Sequence, residues 1–216
     1  MSKKVQVTIW IIIAIIAVLL LGVVSYGIVM NGISKPIHPE VTFEIENYGV
    51  VKVELYPEYA PNTVTNFIKL VEKGYYNNKI LYGKDEVCMY AGRDTEGNAI
   101  NPKISLIDDS IEAGTDADYE YTIPGEFVVN GYEQNTLRHE KGVISLIRND
   151  YTQYVASLSK ESYNSGNAQI GIMMSDSATT LNGVYAAFGK ITEGMDVLEK
   201  IYNEVEIKHP EATEDG

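Results

Sequence analysis

The sequence predicts a mainly β domain, a closed antiparallel β-barrel whose ends are covered by two α-helices, preceded by one N-terminal transmembrane helix. Three observations predict it. Several short segments alternate apolar and polar residues with period two, only two stretches carry helical periodicity, and one long apolar run opens the 216-residue chain. Many short strands with so few helices cannot cover both faces of an open sheet, so the sheet is expected to close on itself.

The apolar run comes first. Val5 to Ser34 holds no charged residue, and Val7 to Met30 is almost wholly apolar, with IWIIIAIIAVLLLGVV at its heart. As a helix it is about 36 Å long, enough to cross a hydrocarbon core of roughly 30 Å. A helix apolar on every face has no place in a soluble domain of this size. Lys3 and Lys4 precede it, which places residues 1–6 in the cytoplasm and the remainder outside, with Trp10 and Tyr26 near the two interfaces. The competing reading is a cleaved signal peptide, with small residues around Val24-Ser25-Tyr26-Gly27. The apolar core exceeds the roughly 7–15 residues of such signals, which favours an uncleaved anchor over 7–30. The expected location is a cell membrane, single-pass, with the domain extracytoplasmic.

Charge and cysteine usage narrow the functions. The chain carries 17 basic and 30 acidic residues. Two of the lysines precede the anchor, so the part outside is more acidic than the −13 of the whole chain. Such a surface repels nucleic acid and anionic headgroups, so no nucleic-acid partner is expected, and the membrane is met only through the N-terminal helix. Cys88 is the sole cysteine, which leaves the core without an intramolecular disulfide. No Asn-x-Ser/Thr site occurs, in keeping with a bacterial envelope more than a glycosylating lumen. A monomer is expected.

Residues 31–39 (NGISKPIHP) read as a short linker, 40–204 as the domain and 205–216 as an acidic tail. Val41 to Glu46 and Val51 to Leu55 alternate with period two and are joined by Asn47-Tyr48-Gly49, a hairpin turn. Proline in the first turn of Ala60-Pro61-Asn62 starts a helix. Val64, Phe67, Ile68 and Val71 form its apolar stripe, and Gly74 ends it. Further strands are expected at 142–148, 168–175 and 185–191, with a second helix at about 193–203 carrying Met195, Leu198, Ile201 and Tyr202 on one side. Residues 79–94 (KILYGKDEVCMYAGRD) and 95–141 read as irregular.

Three motifs dissolve on inspection. Asp116-Ala117-Asp118-Tyr119-Glu120 resembles the start of a calcium loop, but Tyr121 and Phe127 stand where that loop needs glycine and glutamate. Ser157-Leu158-Ser159-Lys160 and Ser162-Tyr163-Asn164 mimic penicillin-binding elements, yet they are nearly contiguous and no Lys-Thr-Gly accompanies them. His38, His139 and His209 have no metal-ligand spacing, so no metal is expected, and Cys88 reads as a small apolar core residue.

From about Val41 to Tyr202 the chain resembles the cyclophilin-type peptidyl-prolyl cis-trans isomerases. The resemblance is carried by VVKVELYPEYAPNTVTNFIKLVEKGYY (50–76), TIPGEFVVNGYEQNTLRHEKGVISLIR (122–148), YNSGNAQIGIMM (163–174) and LNGVYAAFGKITEGMDVLEKI (181–201). It implies a cyclophilin-like closed antiparallel β-barrel of about eight strands capped by two α-helices. It also implies isomerisation of X–Pro bonds to assist the folding of exported proteins, with unfolded or proline-containing polypeptides as partners and no cofactor. For the last strand the chain offers only Val205 to Lys208.

The resemblance also marks a departure. The family's catalytic run aligns without a gap on Leu81 to Asp94, which puts its arginine on Gly83, its histidine on Tyr82, its pocket phenylalanine on Cys88 and its glutamine on Ala91. Met89, Gln169 and Leu181 keep the family pattern. Gly171 replaces a second pocket phenylalanine, Tyr185 replaces the pocket histidine, and Arg148 lies at a groove position. No catalytic residue is retained. The substrate-binding residues implied are Met89, Gln169, Leu181, Arg148, Tyr82 and Tyr185. Two readings follow. In one the pocket is rebuilt, with space opened at Cys88 and Gly171 for Tyr82, Tyr90 or Tyr185, and Arg148 or Lys84 supplies the donor. In the other the domain binds peptides without turning them over, as a chaperone or assembly module.

Overall fold

The structure is a computed structural model that describes residues 37–93, 122–153 and 156–204. Seven strands form one sheet: β1 (Glu40–Ile45), β2 (Gly49–Leu55), β3 (Ile80–Lys84), β4 (Cys88–Arg93), β5 (Val143–Leu146), β6 (Ile170–Met173) and β7 (Ala186–Glu193). Their order is β1-β2-β7-β5-β6-β4-β3, and every pairing is antiparallel. The helices are α1 (Pro61–Glu72), α2 (Ser159–Tyr163) and α3 (Met195–Glu204).

The mainly β architecture is as expected, but two details are corrected. Among the described residues there is a curled sheet of seven strands in place of a closed barrel of about eight, and no pairing joins its edge strands β1 and β3. Residues 205–208, the expected closing strand, lie outside the described residues, as do the acidic motif at 116–120 and the apolar segment 7–30. Among the described residues no helix is long and apolar enough to cross a membrane. The second correction is α2, whose five residues are too few to carry a periodic signal.

Local sequence explains the elements that frame the site. The β1–β2 turn has Asn47 at φ 65° and Gly49 at φ 137°, closed by Tyr48 N–H donating to Ile45 O at 3.0 Å. The first helix begins with Pro61 and has no side-chain cap of its own. Its free N–H groups are met from far along the chain. The Glu126 carboxylate accepts from Asn62 N at 2.9 Å, Thr63 N at 2.8 Å and Thr63 Oγ1 at 2.7 Å. A negative charge at the positive end of a helix is favourable on both hydrogen-bonding and dipole grounds.

Residues 79–94, irregular in composition, fold as the β3–β4 hairpin. Asp85 makes the turn: its Oδ1 accepts from Val87 N at 2.9 Å and Cys88 N at 2.7 Å, and its own N–H donates to Cys88 O. Side chains alternate across each strand. One face of the sheet packs with α1 and α3 into the main core, where Phe67, Met89, Ile144, Ile172, Phe188 and Leu198 meet. The opposite face carries a second, smaller cluster of Cys88, Val143, Met173, Ala178 and Ala187, edged by Tyr90, Leu137 and Leu181.

Candidate functional site

The antiparallel order brings four strand ends together. The end of β4, the start of β6, the end of β5 and the start of β7 are neighbours, and they bring Arg93, Gln169, Arg148 and Tyr185 to one end of the sheet. The adjoining row across the sheet is Gly83–Tyr90–Gly171–Ser145–Ala187.

Gln169 is the fixed point of this region. Its Oε1 accepts from the Tyr82 hydroxyl at 2.7 Å and from Arg93 Nε at 3.2 Å. Two donors on one oxygen settle the orientation of the amide, and its NH₂ faces away from both. The Arg93 guanidinium lies over the Tyr82 ring, 4.1 Å from its centroid, and Tyr82 in turn stacks with Tyr90 at 6.0 Å and 24°. Burial pushes the Tyr82 phenol up, with the charge of Arg93 pulling the other way, so Tyr82 remains a donor at neutral pH. Burial and the Asp85 carboxylate it donates to raise Tyr90 further.

Arg93 reaches this position through Gly92. That residue has φ +103°, and a Cβ there would lie 2.9 Å from Ala168 O. It is the bulged residue between the Ile80↔Arg93 and Leu81↔Ala91 pairs, and a bulge re-aims the side chain that follows. The sequence reading assigns Arg93 no role, and its one signal is the Gly92-Arg93 pair at the end of a strand.

Arg148 is held differently. Its Nε donates to Val184 O at 3.2 Å. Its guanidinium stands over three rings, at 4.6 Å from Tyr185, 5.2 Å from Tyr163 and 5.7 Å from Phe127, while Nη1 is buried without a hydrogen-bond partner.

The remaining expected residues divide. Leu181 packs beside Tyr90 and Cys88 on the outer face. Met89 is 0% exposed and belongs to the main core, so strand alternation sets it behind the site. Lys84 is not available to the site either. Its Nζ donates to Tyr202 O at 2.5 Å and lies over the Tyr202 ring, which draws it to the end of α3. The space expected at Cys88 and Gly171 is filled. A Cβ on Gly171 would meet Cys88 Sγ at 2.8 Å and Ile147 Cδ1 at 2.9 Å, so the tyrosines stay outside it. Burial, aided by Asp85, pushes the Cys88 thiol up to about 12, which makes it a packing group and no nucleophile.

Elsewhere, a cavity of about 430 Å³ opens between Val128, Val129, Leu137, Arg138, Asn182 and Gly183. Tyr82, Arg93 and Gln169 take no part in it. No group of side chains suited to a metal ion exists among the described residues. What the site offers chemically is aromatic surface, two guanidinium groups and one oriented amide.

The chain has relatives among known proteins. The chain is 30% identical over 158 residues to peptidyl-prolyl cis-trans isomerase-like 2 of Rhizopus delemar, a match over 73% of this chain that spans only 24% of that longer protein. It is 27% identical over 161 residues to peptidyl-prolyl cis-trans isomerase B of Bacillus subtilis, covering 74% of this chain and 89% of the relative. Among solved structures, a cyclophilin type peptidyl-prolyl cis-trans isomerase of Cryptosporidium parvum shares the fold with a TM-score of 0.55 at 24% identity, over 77% of this chain and 85% of that one. The same protein was also solved in the presence of the dipeptide Ala-Pro. Residues 40–215 match the model of the cyclophilin type peptidyl-prolyl cis-trans isomerase family, and the chain belongs to that family.

Proposed function

We propose that the domain is a weak prolyl isomerase acting on exported polypeptides, held outside a cell membrane by an anchor at residues 7–30. The observation that carries the reading is the family match over 40–215 together with the convergence of Tyr82, Gln169, Arg148 and Tyr185 at one end of the sheet, with Leu181 along its face and Met89 beneath it. Rotation about an X–Pro bond faces a barrier of about 18–20 kcal/mol because amide resonance must be broken, and unaided it takes tens to hundreds of seconds. A surface that grips the proline and offers hydrogen-bond donors to the twisted amide lowers that barrier. Catalysis is weak because Gly83, where the family carries its arginine, has no side chain to give. The Ala-Pro dipeptide used with the Cryptosporidium parvum protein supports proline-containing segments as the ligand class. The acidic composition supports a monomer that avoids nucleic acid.

The test is an isomerisation assay of the full chain in mild detergent on an Ala-Pro-containing peptide, beside Bacillus subtilis isomerase B. Acceleration that is measurable but well below the comparator is expected. A rate equal to the comparator would overturn the account of Gly83. A second reading, a peptide-binding chaperone or assembly module without turnover, is favoured by the filling of the Gly171 space by Ile147 and Cys88. Peptide affinity with no rate gain would establish it in place of the first.

A further inference from the structure

We propose that the cavity beside Asn135 and Asn182 is a binding site for an extended polypeptide segment. It takes one peptide unit and an apolar side chain next to it, and it requires no proline. The inference therefore stands without the isomerase reading and concerns other residues.

The cavity is a walled space of about 430 Å³, within the usual range of roughly 300–1,000 Å³ for ligand pockets. Val129 N–H donates to Gly183 O at 2.9 Å, which ties the short helical turn Val128–Asn130 to the stretch at 182–183. Val128 and Val129 are 46% and 53% exposed, and Leu137 is rooted by its side chain in the outer-face cluster. Apolar surface left open beside a cavity is surface that a ligand takes out of water.

Two asparagine amides are fixed at the wall, each held by the half it does not offer. Asn135 is 5% exposed. Its Nδ2 donates to Glu126 O at 2.8 Å and to Ala187 O at 2.9 Å. Both hydrogens are used, and Oδ1 is left as an acceptor without a partner among the described residues. Asn182 is the reverse case. Its Oδ1 accepts from His139 N at 2.8 Å and lies 3.2 Å from His139 Nδ1, which leaves its Nδ2 hydrogens as donors. Neither open group is sealed from solvent, and both residues line the cavity. Bonds on the far half settle both amide orientations, so the cavity holds one preset acceptor and one preset donor.

That pair complements a peptide unit, whose N–H needs an acceptor and whose C=O needs a donor. The strip of chain beside it repeats the offer. Residues 135–138 lie outside the seven strands, and the Leu137 N–H and C=O make no hydrogen bond among the described residues. A polypeptide laid along this strip can pair with Leu137 as an added strand does. Main-chain bonds then give affinity, and the apolar cavity chooses the side chain. A hydrocarbon ligand would cover the valines but leave both amides desolvated and unpaired, which is costly.

The test uses the full chain in lipid nanodiscs, which keeps detergent out of an apolar cavity, and the proline-free peptide acetyl-Ser-Val-Leu-Val-Ser-amide. Methyl NMR locates binding, titration gives the affinity, and thermal melting gives a fold control. Saturable shifts at Val128, Val129 and Leu137 are expected. Asn182→Asp keeps the oxygen that faces His139 and turns the open donor into an acceptor, so it should weaken the peptide about tenfold. Should Asn182→Asp fail to fold, Val129→Ser at its exposed position is read in its place, with a loss of about threefold. A probe N-methylated at the leucine and at the valine after it should also bind about tenfold more weakly. No saturable binding, or shifts that spare those three residues, overturns the proposal. Unchanged affinity in the variant read, or in the methylated probe, overturns it too. Binding of N-acetyl-leucine methylamide as tight as that of the pentapeptide would make the cavity a pocket for small amides and not a polypeptide site. None of these outcomes bears on the X–Pro assay, so the two readings fail separately.

Discussion

Ile147 stands where a side chain at position 171 would go: a Cβ built on Gly171 would lie 2.9 Å from Ile147 Cδ1 and 2.8 Å from Cys88 Sγ. The glycine is therefore a consequence of close packing on the outer face and does not mark an opening. Gly171→Ala is expected to destabilise the domain by about 1–3 kcal/mol through overpacking. Ile147→Ala added to it should recover part of that loss, as contacting residues couple. Urea unfolding of the two single variants and the double variant measures the coupling, and strict additivity would refute the steric account.

Glu126 is 1% exposed, and the three described donors to its carboxylate all lie at the start of α1. Glu126→Ala strands buried donors and should cost about 2–4 kcal/mol, more than an ordinary cap, because one residue serves three groups. Glu126→Gln keeps one acceptor and should cost about half as much. Denaturation midpoints of the pair decide whether the carboxylate acts as the cap.

Lys84 belongs to the end of α3 and not to the site. Lys84→Met should leave any isomerisation rate unchanged while lowering stability by about 1 kcal/mol or less, for one lost charged contact at a helix end. A fall in rate with no change in melting temperature would return Lys84 to the site.

Burial holds the His139 imidazole below its ordinary value of 6.5, with Nδ1 3.2 Å from Asn182 Oδ1 and Nε2 3.0 Å from Ser145 Oγ. The unfolded chain binds a proton near pH 6.5 that the folded chain refuses, so stability rises with pH through this window and falls as pH drops through it toward the folded value. His38 acts with the opposite sign. Burial lowers it, but the hydrogen bonds and charges of Glu58 and Glu54 outweigh that and raise it. Its contribution is present below the ordinary value and lost as pH rises through the raised one, and salt screens it. Unfolding of wild type and His139→Gln between about pH 8 and about pH 5 isolates the buried group: wild type should lose stability relative to the variant on acidification, by about 1.4 kcal/mol per unit of depression. Parallel curves would show that His139 titrates normally.

Much of the domain is legible in the sequence. The period-two runs at 41–46 and 51–55 and the stripe of Val64, Phe67, Ile68 and Val71 became β1, β2 and α1. Within that stripe the structure buries Val64 and Phe67, leaves Ile68 and Val71 half-buried, and adds Leu70. The β3–β4 hairpin was obscured because its turn depends on the side chain of Asp85 and its register on a bulge at Gly92, neither of which leaves a periodic trace. The cap on α1 was invisible for another reason: Glu126 stands 63 residues from Thr63.

By itself, then, the sequence determined what depends on neighbours along the chain: which runs pair as strands, where α1 starts and stops, and the family to which its quoted segments bear likeness. Only the tertiary structure decided which cations stand at the site. Lys84, beside the vacant arginine position, is drawn away by a helix end. Arg93, ten residues further along than Gly83, is brought in by a glycine bulge and the neighbouring strand that carries Gln169. Hydrogen bonds and ring stacking act over a few ångströms of space, and strand order, not chain distance, sets which residues fall within that reach.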